Sequence, residues 1–181
     1  MSIKMIIATG ANFEIGQAGK LPWGYIKEDL QYFKDKTLGC PVIMGNTTFK
    51  SLPFKGGLPD RYNLVLTRES LCTYTMGNIK LPSVYVSDTL YKVNLKFIEN
   101  FIKIRESYTR KEADTWVIGG ASVYQQLLPY VDEIHWTTVE DIFPEADTYF
   151  DMGFLYEGGW ERVSDKYLVE NMVSVSVWKR K

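Results

Sequence analysis

Trp116-Val117-Ile118-Gly119-Gly120-Ala121-Ser122-Val123-Tyr124 sets the architecture of this chain. An apolar, β-favouring run ends in a glycine pair, and a short helical pattern, Ser122 to Leu128, follows and stops near Pro129. A strand that ends in glycine and opens straight into a helix is a joint of α/β sheets. The spacing is not G-x-G-x-x-G, so the Rossmann dinucleotide fingerprint is absent. Paired glycines at a strand's carboxyl end still allow close approach of an anionic ligand, and in open α/β sheets that end is where ligands bind.

Pro41 to Pro53 repeats the joint: the apolar strand Val42 to Met44 ends at Gly45 and enters a short helix through Asn46 and Thr47. Either Asn46 or Thr47 caps that helix, or its free N–H groups and hydroxyls await a phosphate. Further strands are expected at Met5 to Thr9, Asn63 to Thr67, Val84 to Val86, Thr115 to Ile118 and Ile134 to Val139. Their nearly continuous apolar character suits strands covered on both faces. Helices are expected at Lys27 to Lys36 and at Asn94 to Arg105, where Phe97, Ile98, Phe101 and Ile102 form a core-packing stripe. Near the end, Tyr167 to Val169 and Met172 to Trp178 flank Glu170-Asn171, and Val173, Val175 and Val177 alternate with Ser174, Ser176 and Trp178. That pattern is a half-buried antiparallel hairpin. The expectation is an α/β, three-layer fold: a mixed, mostly parallel central sheet flanked by helices, with an antiparallel C-terminal hairpin, residues 1–181 forming a single domain. Pro53 to Pro59 is a loop.

The 181 residues carry a net charge of -1, so no global basic footprint for nucleic acid exists, and an anionic ligand must be held by local Lys or Arg. Lys179-Arg180-Lys181 reads as a solvated terminus, and Lys4, Lys27 and Glu28 as solvated charges. One histidine, His135, and two cysteines without CxxC spacing, Cys40 and Cys72, leave no metal site to expect. The two thiols suit a reducing compartment, with a disulfide between them left open. No apolar run approaches the ~20 residues that span a bilayer, and no signal-peptide pattern opens the chain, so a cytoplasmic protein is expected. His135 reads as a strand residue, not a catalytic base.

Two further segments carry chemistry. Ile15-Gly16-Gln17-Ala18-Gly19-Lys20-Leu21-Pro22-Trp23 follows the first strand, and its glycines let backbone bend around a ligand, though a plain strand-to-helix connection with a buried Trp reads equally well. In Asp29-Leu30-Gln31-Tyr32-Phe33-Lys34, Asp29 and Phe33 share one helix face. A carboxylate on an apolar face is costly without a partner. It is either a solvated first-turn acid or a group awaiting a ligand with paired N–H donors.

In this order and over nearly the whole chain, IG…LPW (Ile15 to Trp23), the acid Asp29 followed by Leu30 and Phe33, PVIMG with Thr48-Phe49, LPxR (Leu58 to Arg61), VIGG with Val123-Tyr124, and Asp147-Thr148 with Phe150 resemble dihydrofolate reductase. The resemblance implies NADPH across the carboxyl ends of the strands and a pterin in the adjoining cleft. It implies a catalytic set of Asp29, Trp23, Leu21 and Thr137, with Thr137 hydrogen-bonded to Asp29, Trp23 a wall of the site, and Gly19, Lys20 and Leu21 a mobile lid. Substrate contacts are implied at Ile6, Ile7, Leu30, Phe33, Ser51, Leu52, Leu58, Ile118 and Tyr124, with Arg61 on the glutamate α-carboxylate. Cofactor contacts are implied at Ala8, Ile15, Gly16, Gly19, Lys20, Gly45, Asn46, Thr47, Thr48, Thr67, Arg68, Gly119, Gly120, Ala121, Ser122, Val123 and Tyr124. Asp147 and Thr148 match a structural pair behind the active-site loop.

Two departures matter. Asn46 stands where the family commonly has a basic residue, leaving Thr67-Arg68 to recognise the 2′-phosphate. Asp60 replaces the family's glycine before the folate Arg, and a carboxylate turned inward there would weaken folate binding. The implied reaction is NADPH-dependent reduction of 7,8-dihydrofolate by hydride transfer to C6 and protonation of N5. The competing readings are a reductase of this fold acting on a phosphoribosylated pyrimidine, an inactive binding module and a nucleic-acid binder. Expected partners are dihydrofolate and antifolate inhibitors, with no nucleic acid, no membrane, and the chain as a monomer.

Overall fold

The computed structural model describes residues 2–54, 56–67 and 114–181 with their side chains, and the backbone alone of the strands at 73–76, 79–87 and 90–93. The expected helix Asn94 to Arg105, Arg68 and Cys72 lie outside the described residues; Cys40 is a free thiol.

The central strands are β1 (Ile3–Thr9), β3 (Pro41–Gly45), β4 (Tyr62–Leu66), β8 (Thr115–Gly119) and β9 (Glu133–Val139). With β5 (Thr73–Met76), β6 (Ile79–Ser87), β7 (Leu90–Val93), β11 (Trp160–Val169) and β12 (Val173–Arg180) they form a sheet ordered β11-β12-β9-β1-β8-β3-β4-β7-β6-β5. From β9 to β7 neighbours run parallel, whereas β12 pairs antiparallel with β9, and β11 with β12. The short strands β2 (Glu14–Gly16) and β10 (Thr148–Tyr149) pair separately.

Side-chain alternation sorts the central strands onto two cores. Met5, Ile7, Ile43, Val117 and Ile134 face one side, where α3 (Ala121–Leu127) adds Val123, Tyr124 and Leu127. Ile6, Val42, Met44 and Trp116 face the other, covered by Tyr32 and Phe33 of α1 (Lys27–Thr37) and Phe49 of α2 (Asn46–Ser51). The sheet therefore lies between two helical layers.

Several expectations need correction. The helix after β3 is capped by Gly45, not by Asn46 or Thr47, because the chain turns helical at Asn46 itself and no side chain caps the start. The hairpin's first strand begins at Trp160, well before Tyr167; as an edge strand it is mostly exposed, so no apolar alternation marks it. Lys4 is not solvated: it bridges Asp114 at 2.9 Å and Glu133 at 3.0 Å. Nor is Arg180 a loose terminal charge, since its guanidinium donates to the carbonyls of Val131 and Leu128 and stacks over Trp160. Both set their cationic heads over buried indole rings, Lys4 over Trp116 and Arg180 over Trp160.

Candidate active site

One cleft of about 1670 Å³ opens at the carboxyl ends of β1, β3, β4, β8 and β9. β1 lies between β8 and β9, the two strands that α3 joins, so the chain crosses over β1 at this point. A volume well beyond the roughly 300–1,000 Å³ of a usual small-molecule site leaves room for two ligands side by side.

At one end, Asp29 sits in the first turn of α1, only 8 % exposed. The Thr137 hydroxyl of β9 hydrogen-bonds its carboxyl. Burial raises the Asp29 pKa above the ordinary carboxylate value, and the Thr137 bond opposes the rise without cancelling it. Apolar walls come from Ile6 and Ile7 of β1, Leu30 and Phe33 of α1, Ile118 of β8, and Leu52 and Leu58 beyond α2, with Ser51 beside them. Tyr124 lines the floor, but its hydroxyl donates to the Ile6 carbonyl at 2.9 Å. Burial, and then the charge of Asp29, push that phenol far upward, so it stays a neutral, committed donor.

Arg61 holds the outer end, 6 % exposed and clamped on three sides. Its Nε and Nη2 donate to Thr37 Oγ1 at 3.2 and 3.1 Å, and Nη1 donates to the Pro59 carbonyl at 2.7 Å. Its pKa is lowered by burial, against the opposing charge of Asp60. Asp60 itself lies outside the cleft lining. It adopts φ +57°, the left-handed geometry in which glycine is at ease, and its carbonyl accepts the Gly39 N–H at 2.9 Å. Its carboxylate therefore does not line the cleft, although its charge acts on Arg61.

The other half of the cleft is a cradle of backbone. β3 and β8 are sheet neighbours that both end in glycine and both open into a helix without a side-chain cap. Gly45, Asn46, Thr47 and Thr48 line it on one side, Gly120, Ala121, Ser122 and Val123 on the other, and Leu66 and Thr67 at the end of β4. Packing here is close: a Cβ on Gly45 would meet Val123 Cγ2 at 3.1 Å, and one on Gly120 would meet Thr48 Oγ1 at 3.3 Å, so a side chain fits only if these neighbours yield. Gly119, at φ +108° and joined to Gly120 by a cis peptide bond, supports the cradle without lining it; its Cβ would meet Tyr124 at 2.9 Å. Gly119→Ala should therefore cost about 2–5 kcal/mol, from forbidden backbone plus overpacking. Urea unfolding measures this, and an unchanged midpoint would contradict it.

Ala8, Ile15, Gly16, Gly19, Lys20 and Leu21 roof the cleft. The tip turns through Ala18 at φ +47° and Gly19 at φ +75°, with Gln17 and Lys20 bridged. Asp147 secures the turn: its Oδ2 accepts the Ala18 N–H at 2.7 Å and its Oδ1 the Thr148 hydroxyl at 2.7 Å. These bonds, the one from Thr148 first, hold its carboxyl below the usual range. Trp23 does not line the cleft. Its ring packs on Phe143 at 5.6 Å, and its indole N–H is buried with no partner among the described residues.

Reading the sequence missed several lining residues: Gly24, Tyr25, Lys34, Pro53, Phe54, Pro59, Leu66, Gln126 and Thr148. Lys34 was detectable, one residue beyond Phe33 on the helix that carries Asp29. Tyr25, 76 % exposed, and Phe54 stand in loops whose path no local pattern encodes.

Residues 2–176 match the family described as dihydrofolate reductase. The chain is 33 % identical over 156 residues to the dihydrofolate reductase of Buchnera aphidicola from Acyrthosiphon pisum, covering 86 % of this chain and 83 % of that one. It is 30 % identical over 167 residues to that of Haemophilus influenzae, covering 92 % and 88 %. Among solved structures it is similar to dihydrofolate reductase from Enterococcus faecalis complexed with NADP(H) and RAB-propyl. That likeness has a TM-score of 0.77 and 25 % identity, covering 99 % of this chain and 96 % of that one.

Proposed function

Because this chain belongs to the dihydrofolate reductase family and reduces dihydrofolate with NADPH, we propose that Asp29 is the pocket acid of that reaction and Arg61 the anchor of the substrate's glutamate tail. The observation that carries the assignment is a partnered carboxyl, Asp29 with Thr137, deep in an apolar slot between a glycine cradle and a buried guanidinium.

The residues present fit the cofactor. Uncapped helix starts at Asn46 and Ala121, beside glycines where a side chain would be tight, suit a diphosphate, since free backbone N–H groups and the positive helix ends favour anions. Thr47, Thr48 and Ser122 add hydroxyls. Bound NADPH supplies the hydride. Thr67 lines the cleft just beyond β4; the cofactor's 2′-phosphate is assigned to this end, with Arg68, next in sequence, as its partner.

The chain's own work is to bind, orient and keep water out. Asp29 accepts hydrogen bonds from the pterin's N3–H and 2-amino group, using both oxygens. Thr137 sets the plane of that carboxyl. Ile6, Leu30, Phe33 and Ile118 confine the flat heterocycle so that C6 faces the hydride donor. With its raised pKa, Asp29 favours a proton reaching N5, through a water rather than directly. Gly19, Lys20 and Leu21 close over the site, while Trp23, packed on Phe143 outside the cleft lining, keeps a spare indole N–H.

We further infer one domain acting as a monomer in the cytoplasm, with no nucleic-acid or membrane partner. The exposed edge strand β11 is interrupted by register shifts and carries Glu161, Arg162, Asp165 and Lys166, features that discourage edge pairing with a second copy. No described helix is long and apolar enough to cross a membrane. Loss of NADPH absorbance on adding dihydrofolate, inhibited by an antifolate, tests the site; activity insensitive to Asp29 and Arg61 substitutions would refute the assignments. Asp147→Ala should slow hydride transfer about tenfold by freeing the Ala18 turn, with little change in melting temperature because Asp147 is exposed. Single-turnover rates measure it; an unaltered rate would show that the turn closes without this anchor.

A further inference from the structure

Helix α1 has an unusual seating. Its apolar residues Leu30 and Phe33 face the ligand cleft, and its buried residues are Asp29, Tyr32 and Thr37. Each has a polar tie to the body of the protein: Asp29 to Thr137, Tyr32 to His135, and Thr37 to Arg61. Among the described residues, only the Tyr32 ring and part of Phe33 pack α1 on the core, so these polar ties share with them the work of setting the helix's depth.

The middle tie continues into the sheet. Glu133, His135 and Thr137 alternate along β9 and point to one face, and Asp29 and Tyr32 are three apart on α1. The Tyr32 hydroxyl lies 2.6 Å from His135 Nδ1, and His135 Nε2 lies 2.7 Å from Glu133 Oε1. An ionised Glu133 only accepts, so it assigns the proton to Nε2; Nδ1 is then the acceptor for the Tyr32 hydroxyl. Every polar atom of the chain is matched with the imidazole neutral. The imidazole is 4 % exposed and stands edge-on to Trp116, with ring centroids 4.9 Å apart.

We propose that Tyr32, His135 and Glu133 are positioning residues for the reductase reaction, a hydrogen-bonded chain that fixes how deeply α1 presents the Asp29 carboxyl to the cleft. The proposal rests on Asp29 being the pocket acid. The charged groups around the chain come from five elements or loops. Lys36 of α1 and Lys166 of β11 lie over the Tyr32 ring, Lys4 of β1 and Lys179 of β12 reach Glu133, and Asp114 holds Lys4 from the other side. Burial lowers the pKa of His135, and Glu133 partly restores it. Burial and the charge of Glu133 push the Tyr32 phenol up to about 12. The neutral arrangement is thus the stable one through the working pH range.

The test compares wild type, Tyr32→Phe, His135→Leu, their double variant and Asp29→Asn, reading single-turnover rate against pH, KM for dihydrofolate and melting temperature. With the tie cut, α1 shifts and water reaches Asp29. The apparent pKa of the rate profile should fall by about half a unit or more, and KM should rise about three- to tenfold. The double variant should shift the profile no further than the worse single variant, because both cut one chain. Glu133→Gln, which keeps the hydroxyl tie but weakens the tautomer's assignment, should shift it less in the same direction, and serves if Tyr32→Phe does not fold. A lower melting temperature with an unmoved profile and KM, or additive shifts in the double variant, would overturn the proposal while leaving Asp29 in place. Full activity of Asp29→Asn at pH 7 would overturn both.

Discussion

Asp29→Asn should lower the rate of dihydrofolate reduction at pH 7 by about 10²–10⁴-fold, the usual worth of a positioned acid or base, and at the same time raise the melting temperature of the free protein. The rate falls for two reasons. The amide cannot hold a proton for transfer, and its NH₂ opposes one of the two N–H donors proposed for the pterin, leaving a donor facing a donor. The deficit should shrink at low pH, where solvent protonates the substrate without help. The stability gain follows from the sign of the pKa shift. Burial raises the Asp29 pKa in the folded protein, so folding favours the protonated carboxyl. Its stabilising contribution is complete below the unfolded pKa of about 3.9 and is lost as pH climbs through the higher folded value. At pH 7 the buried charge is therefore a burden that asparagine lacks, whereas at pH 3 the two proteins should melt alike. Stopped-flow rates and melting curves across pH measure both effects. A wild-type rate at pH 7 would remove Asp29 from the chemistry, and a melting temperature unchanged at pH 7 would mean that its carboxyl is better solvated than its 8 % exposure implies.

Arg61→Ala should raise KM for dihydrofolate by about 10–100-fold, the value of a charge-assisted contact in a partly dehydrated site, with a much smaller effect on kcat. The guanidinium is held by Thr37 and the Pro59 carbonyl before any ligand arrives, and among the described residues no carboxylate forms an ion pair with it. A fixed, dehydrated cation in a cleft wall is prepared for an incoming carboxylate, and preorganisation is what makes such a contact strong. Arg61→Lys should recover little, because one ammonium cannot both keep the Thr37 tie and face a carboxylate in two-pronged fashion. A dihydropterin lacking the aminobenzoyl-glutamate tail separates tail binding from fold support. If Arg61 binds the tail, KM for that shorter substrate stays at its wild-type value. An equal rise for both substrates would instead mean that Arg61 acts by securing the end of α1. An unchanged KM for dihydrofolate would assign the tail to another cation, and Lys34, which lines the same stretch of the cleft, is the nearest candidate.

Local chemistry alone determined a good part of this protein. Gly45 and Gly119-Gly120 each end an apolar strand and begin a helix, where a Cβ would be crowded at all three positions and strained at Gly119, so the two backbone cradles were legible from residue type and order. The central strands were legible because burial on both faces demands continuous apolar runs. Asp29, Arg61 and Thr137 were legible through their place in a resembling pattern, and the structure brings all three to one cleft. What tertiary structure alone decided are relations between elements that local periodicity does not encode. Pairing of β9 with β1 and β12 sets Glu133, His135 and Thr137 opposite α1, turning a histidine read as an ordinary strand residue into the link between Glu133 and Tyr32. The same packing brings Lys4, read as solvated, between Asp114 and Glu133. The first seven residues of β11, Trp160 to Lys166, escaped notice because an exposed edge keeps few apolar residues, and Tyr25 and Phe54 because loops bend by contacts made far along the chain. Period and residue type report a side chain's own element; which groups meet across a cleft depends on strand order and register, and those are set by the whole sheet at once.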